Sequence, residues 1–299
     1  MNVLIPLTIT EAMLATGTTI AEPDLTLGES LWVSAGTYAV GDLKVRTTTH
    51  KVYECVQAHT GRSQLPENDT AYWLEKSPTN RHAPFDIYTS TQAQALTSLT
   101  YVVRPGTFYN AVGLWGVDGA NWSMTFKDAP GGSIFRTESG SLVENAGGMY
   151  EYMFPGAWRT KNKVLVKDIE PYPDAEVTVT ISAATGNTVK LGVLAIGDLR
   201  PLAENRGGTT YGAIAEPVDY SYQKTEEDGT VTIKRRRSAT DLRVRVELAA
   251  EDRDSALASL QEVLSVPCGW IATTAEGYDG LSTFGTGSGP LAYEAGHGI

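Results

Sequence analysis

Short, Val- and Thr-rich segments separated by turn residues dominate the hydrophobic pattern of this chain. Residues 78–200 contain several such segments, divided by Gly-rich turns. Short strands with this punctuation are typical of an antiparallel sandwich or jelly roll. The predicted strands are 100–104, 111–116, 122–126, 163–167, 177–181 and 189–196. The pattern predicts a mainly β chain with a β-sandwich or jelly roll at residues 78–200.

Residues 201–299 follow a different pattern and contain the one segment with helical spacing. From Asp252 to Val266 the apolar residues recur on one face of a helix. Acidic residues precede this segment, and Pro267 ends it. The predicted helix face consists of Ala256, Leu257, Leu260, Val263 and Leu264. With an alternating, strand-like run at 242–248, the sequence predicts a small α+β domain with one helix.

A β-hairpin is predicted just before that run. Strand-like segments at 218–224 and 231–237 flank an Asp-Gly turn sequence at 228–229. The second strand ends in a basic run of Lys234, Arg235, Arg236 and Arg237. Two interpretations stay open. The run is either an interface for an acidic partner surface or a nucleic-acid backbone, or a solvated strand whose charges pair with the acidic residues before the turn.

Residues 31–77 read as a compact, turn-rich unit in which Tyr53 and Cys55 alternate with Val52, Glu54 and Val56, as the two faces of a strand do. A unit of this size without a disulfide needs large aromatic residues as its core. The predicted core residues are Trp32, Tyr38, Tyr53, Cys55 and Trp73. Residues 1–30 form a separate zone, either an edge strand of a later domain or an arm that pairs with a neighbouring subunit.

The order of landmarks in 31–77 is Trp32, Tyr38-Ala39-Val40-Gly41, Tyr53-Glu54-Cys55, Pro66 and Trp73. It resembles the small chitin- and cellulose-binding modules of carbohydrate-binding families 5 and 12. The resemblance implies a three-stranded module that stacks an aromatic ring on a sugar. The loop at 59–66 contains no aromatic residue, so a structural spacer is the alternative. The candidate sugar-binding residues are His59, Gln64, Tyr72 and Trp73.

The wider layout resembles bacteriophage and prophage tail structural proteins that carry an inserted module of this kind. The opening Asn2–Thr10 and the segment Pro78-Thr79-Asn80-Arg81, followed by Phe85-Asp86, carry this resemblance. It implies a virion component, made in the host cytoplasm, that assembles with itself or with other tail proteins. The alternative is a host-surface glycan receptor or depolymerase on a tail appendage. The resemblance does not extend to residues 201–299.

Composition narrows the classes of partner. A net charge of −11 and a pI near 4.9 argue against nucleic acid, because phosphate binding needs a basic surface. The first basic residue is Lys44, so we expect no secretory signal. An apolar run of about 20 residues, which a membrane span requires, is missing from the sequence. We expect a soluble chain whose two cysteines, Cys55 and Cys268, are free thiols.

A search for catalytic motifs predicts a protein that is not an enzyme. The sequence contains no P-loop, no Gly-x-Ser-x-Gly elbow, no His-Glu-x-x-His and no paired Cys-x-x-Cys. His50, Cys55 and His59 are close in sequence, but their spacing matches no usual set of metal ligands. The sequence therefore predicts no catalytic residue, no cofactor and no metal.

Overall fold

The structure is a computed structural model that describes residues 1–144, 159–203, 207–225, 230–234, 238–249, 251–275 and 278–287. The chain is mainly β, with 46% of residues in strands and 9% helical, which confirms the predicted fold class with one helix near the C-terminus. It divides into two compact units. The larger is Thr8–Leu194, and the smaller combines Met1–Leu7 with Ala195–Ile299.

The elements of the first half of the chain are mostly short strands and turns. The strands are β1 Asn2–Pro6, β2 Thr37–Tyr38, β3 Leu43–Arg46, β4 Lys51–Cys55, β5 His59–Thr60, β6 Trp73–Pro78, β7 Ala93–Leu96, β8 Ser98–Val103, β9 Ala111–Trp115, β10 Asn121–Lys127, β11 Ile134–Ser141 and β12 Val143–Glu144. Short 3₁₀ helices lie at Glu11–Met13, Leu25–Leu27, Pro66–Asn68 and Ala83–Phe85.

The second half of the chain also consists mostly of short strands, with one helix between β23 and β24. The strands are β13 Arg159–Thr160, β14 Lys163–Val166, β15 Glu176–Ser182, β16 Thr188–Leu191, β17 Val193–Pro201, β18 Gly207–Thr209, β19 Ile214–Asp219, β20 Tyr222–Thr225, β21 Val231–Lys234, β22 Ser238–Arg243, β23 Val246–Leu248, β24 Pro267–Ile271 and β25 Ser282–Thr286. The helix α1 is Arg253–Glu262, and a 3₁₀ helix lies at Asp279–Leu281.

The segment that resembles a sugar-binding module forms a three-stranded antiparallel sheet, β3-β4-β6, beside the pair β2-β5. Its register places Cys55 opposite Trp73. Because side chains at paired positions share a face, these two point into one core. The structure places all five predicted core residues in a single buried cluster, Trp32, Tyr38, Tyr53, Cys55 and Trp73.

Part of the core of the larger unit lies on one face of the four-stranded sheet β11-β10-β15-β8. Alternate residues of β8, β10 and β15 are fully buried, as the strand period of two requires. The register aligns Tyr101, Val179 and Met124 in one cross-strand row. The strand β11, at one edge of this sheet, has no buried residue and few apolar residues, so the hydrophobic pattern did not predict it.

Two predicted strands are each divided in the structure. The segment 189–196 becomes β16 and β17, which separate at Gly192. A Cβ at this glycine would clash with the carbonyl oxygens of Thr89 and Trp115, so the chain packs there too closely for a side chain. The segment 242–248 is also interrupted. β22 pairs with β19, whereas β23 pairs with β18.

In the smaller unit, β1 has a partner strand on each side, β17 and β24. The side chain of Val3 joins a buried cluster with Val263 of the segment after α1 and with Trp270 of β24. The helix ends four residues before the predicted Val266, and Leu264 is 49% exposed, so the prediction that Leu264 lies on the buried face was wrong.

Candidate functional site

The aromatic residues predicted to bind sugar lie together in the small module, but most of their ring surface is used internally. Trp73 is 2% exposed and makes an edge-on contact with Tyr38, with ring centroids 5.0 Å apart. The ring of His59 packs against Tyr38, Tyr72 and Trp73 at 5.2–5.4 Å. Trp73 therefore belongs to the core and offers no open face to a ligand.

Tyr72 is covered by an arginine. The Arg62 guanidinium lies 3.7 Å from the centroid of the Tyr72 ring. Two hydrogen bonds, of 2.9 and 3.1 Å, from Arg62 to the buried Asp69 carboxylate hold that guanidinium in place. Because this bidentate pair fixes the plane of the guanidinium, the covered face of Tyr72 is not open to a sugar ring. Gln64 is exposed and donates to Asn68 O at 2.6 Å.

Four strands of the smaller unit, β19 to β22, form two antiparallel pairs, the two sections of what is here called the β-ribbon. β19 pairs with β22, and β20 pairs with β21, up to Thr225 opposite Val231. Within the described residues, this pairing confirms that the two predicted strands pair with each other, whereas the predicted turn at Asp228-Gly229 lies outside the described residues. Residues 226–229 and 235–237 are outside the described part of the chain. Of the predicted basic interface, the structure therefore describes Lys234 but not Arg235, Arg236 and Arg237.

The end section of the β-ribbon, β20 and β21, has an exposed apolar surface. Every residue of β21 is exposed, with Val231 at 45% and Ile233 at 60%. These two share one face, whereas Lys234 lies opposite the exposed Tyr222 on the other. A two-stranded ribbon is at best marginally stable alone in water, and exposed apolar patches mark interaction surfaces. The geometry therefore suits contact with a partner.

A second candidate site lies in the larger unit, where residues just after β6 meet the N-terminal segment. The buried Asn80 donates from Nδ2 to Asp24 Oδ2 at 2.7 Å and to Gln94 O at 2.9 Å. Its backbone N–H donates to Glu29 Oε1 at 2.8 Å. Arg81 binds the Glu11 carboxylate through Nε and Nη2. The segment 78–86 therefore connects the N-terminal segment to β7, the strand that contains Gln94.

Two histidines and two glutamates form the centre of this site, here called the His–Glu cluster: Glu11, Glu22, His50 and His82. His82 Nε2 lies 2.8 Å from Glu11 Oε2, and His50 Nδ1 lies 2.8 Å from Glu22 Oε2. The two imidazole rings stack with their centroids 3.8 Å apart. Burial, together with the neighbouring His50, lowers the pKa of His82, although its bond to Glu11 opposes the shift.

The sequence did not reveal this cluster, because its members come from three parts of the chain and are as far as 71 residues apart. Sequence reasoning compared His50 with Cys55 and His59, its neighbours along the chain. The structure instead places His50 in the turn between β3 and β4, beside His82. The sequence signal was limited to the polar run Thr79-Asn80-Arg81-His82 between Pro78 and Pro84.

No protein-family model, no curated protein and no solved structure matches this chain. Among the helices that the structure describes, none has the length and apolar character needed to cross a membrane. The features of the structure that point to a function are therefore the β-ribbon, the module surface and the His–Glu cluster.

Proposed function

We propose that this chain is a structural component of a bacteriophage tail and assembles with copies of itself or with other tail proteins. The observation that carries the proposal is the end section of the β-ribbon, whose apolar residues Val231 and Ile233 are exposed. Because about half of each side chain is already buried, burying the rest against a partner contributes about 1 kcal/mol for each. Location in the virion and assembly within a tail are supported by the resemblance of the segments Asn2–Thr10 and Pro78–Asp86 to tail proteins.

The β-ribbon offers two ways of binding a partner. Its apolar face, with Val231 and Ile233, packs against an apolar surface, and the outer edge of the two-stranded pair can add a strand of the partner. Lys234 on the other face adds attraction to acidic surfaces, which this chain has in excess at a net charge of −11. A second copy of the chain therefore fits the charge of this ribbon.

The small module acts in this proposal as a structural or interaction element. Its outer face carries Leu43 and Leu74, both exposed, on either side of Glu54. A host-surface glycan receptor or depolymerase is the alternative function. The burial of Trp73 and the cover of Arg62 over Tyr72 favour the structural role. Calorimetric titration with chitin oligosaccharides separates the two, because the structural role predicts no saturable heat.

The assembly role is tested by light scattering of the purified chain over a range of concentrations. We expect oligomers for the wild type and a shift toward monomer for Ile233→Asp, which places a charge on the apolar face. Thr232→Asp is the matched control, because Thr232 is exposed on the same strand but points to the opposite face. A wild-type chain that is monomeric throughout and absent from purified tails would contradict the proposal.

A further inference from the structure

The His–Glu cluster has the ligand atoms and the spacing of a metal site. Each of its four side chains contributes one nitrogen or oxygen, and all four atoms lie within 4.8 Å of one another. Tetrahedral ligands at about 2.0–2.1 Å from a zinc ion lie about 3.3 Å apart. Of the six pairs of these atoms, three measure 2.8, 2.8 and 3.9 Å, which bracket this value, and all six lie within 4.8 Å, so rotation of the side chains can bring the four atoms around one ion.

Charge and burial favour a cation at the centre of the cluster. The Glu22 side chain is 7% exposed, and that of His82 is 10% exposed. Burial and nearby carboxylates raise the pKa of Glu29, although backbone hydrogen bonds oppose the shift. Buried carboxylates require a compensating charge. Arg81 supplies this charge at Glu11, and a divalent ion supplies it at Glu22.

Neighbouring residues orient the two carboxylates, as the residues around a metal site commonly do. Thr79 Oγ1 donates to Glu22 Oε1 at 2.7 Å, which leaves Oε2 directed toward both histidines. Arg81 orients both oxygens of Glu11, with Nη2 donating to Oε1 at 2.9 Å and Nε donating to Oε2 at 3.0 Å, and Oε2 also lies 2.8 Å from His82 Nε2. Glu22 therefore has one anchored oxygen and one directed toward the histidines, whereas the guanidinium fixes the plane of the Glu11 carboxylate beside His82.

The turn that carries His50 is held in an unusual backbone conformation. His50 has φ +55°, in the left-handed region that residues with side chains seldom occupy. The turn brings His50 Nδ1 to Glu22, which lies in a loop of the N-terminal segment. The cluster thus joins three parts of the larger unit: the N-terminal segment, the β3–β4 turn and the segment after β6.

We propose that Glu11, Glu22, His50 and His82 bind one divalent transition-metal ion, with Zn²⁺ preferred. Imidazole and carboxylate ligands suit Zn²⁺, whereas Ca²⁺ and Mg²⁺ prefer oxygen ligands alone. Four protein ligands complete a tetrahedral set, which is the arrangement of a structural rather than a catalytic site. The ion stabilises the attachment of the N-terminal segment to the rest of the larger unit.

The test is calorimetric titration of the full chain with ZnCl₂ after removal of metals with a chelator. We expect one Zn²⁺ per chain, and Co²⁺ in its place should give the visible absorption of a tetrahedral site. Glu11→Gln and His50→Asn should each weaken Zn²⁺ binding by at least about 10-fold. Asparagine suits the left-handed conformation at position 50, so this variant preserves the turn.

Glu67→Gln is the matched control, since Glu67, like Glu11, is paired with an arginine but lies outside the cluster. Its Zn²⁺ affinity should equal that of the wild type. Circular dichroism establishes that each variant is folded, and if Glu11→Gln unfolds, His50→Asn decides. A folded wild type that binds no Zn²⁺, or Zn²⁺ affinities unchanged in both cluster variants, would overturn the proposal. Preference for Ca²⁺ or Mg²⁺ would overturn the assignment of the ion.

Discussion

Replacing Asn80 by alanine should destabilise the larger unit more than any ordinary surface substitution. Asn80 Nδ2 donates to Asp24 Oδ2 and to Gln94 O, and its Oδ1 accepts from Gln94 N at 2.8 Å. Alanine removes these three bonds and leaves a buried carboxylate and two backbone groups without these partners. At about 1–3 kcal/mol for each group left unsatisfied, and with partial replacement by water, the loss is about 3–5 kcal/mol.

The assay is urea unfolding followed by tryptophan fluorescence, with the transition of the larger unit fitted separately. With a slope of about 2–3 kcal/mol per M urea, the midpoint for Asn80→Ala should fall by about 1–2 M. Asn121→Ala is the control, because Asn121 is exposed at the start of β10 and should change stability by less than about 0.5 kcal/mol. Equal midpoints for the two variants would refute the role assigned to Asn80.

Two further predictions concern buried ionisable groups. Burial alone would raise the pKa of the Glu176 carboxyl, but its bonds to Lys127 and Arg104 outweigh burial and lower it. The ionised Glu176 therefore contributes its full stabilisation above the unfolded pKa near 4.5, and this stabilisation is lost as the pH falls through the folded pKa. Glu176→Gln should make the melting temperature depend less on pH in that acidic range, as measured by thermal unfolding. Burial, followed by a nearby carboxylate, raises the pKa of Cys268 to about 11, and burial likewise raises that of Cys55. Both thiols should therefore react with a disulfide reagent only after unfolding, and rapid reaction of the native chain would contradict this.

The small module shows what local sequence can determine. Its strand alternation and the spacing of Trp32, Tyr38, Tyr53 and Trp73 predicted one aromatic core, and the structure places these residues in one cluster. A unit this small has few large residues, so all of them are needed to form its core. The sequence could not show that Arg62 covers Tyr72, because that contact depends on the path of the loop between them.

The His–Glu cluster and the divided strands lay beyond sequence reasoning for related reasons. Each is set by contacts between distant segments, whereas hydrophobic periodicity reports only local structure. The break at Gly192 follows from the close approach of Thr89, and the pairing of His50 with His82 follows from the return of β6 alongside β4. The strand β11 was missed for a different reason. None of its residues is buried, so its sequence has only a weak hydrophobic pattern.

Hydrogen exchange of the β-ribbon tests the assembly role most directly. The measurement compares the amides of β20 and β21 in the purified chain at low and high concentration, with Ile233→Asp alongside. If the ribbon is an assembly element, the amides of Val231–Lys234 should exchange rapidly when the chain is dilute and become strongly protected when it is concentrated. Ile233→Asp should remove this protection. Exchange in the wild type that is equally fast at both concentrations, and equal to that of the variant, would contradict the account.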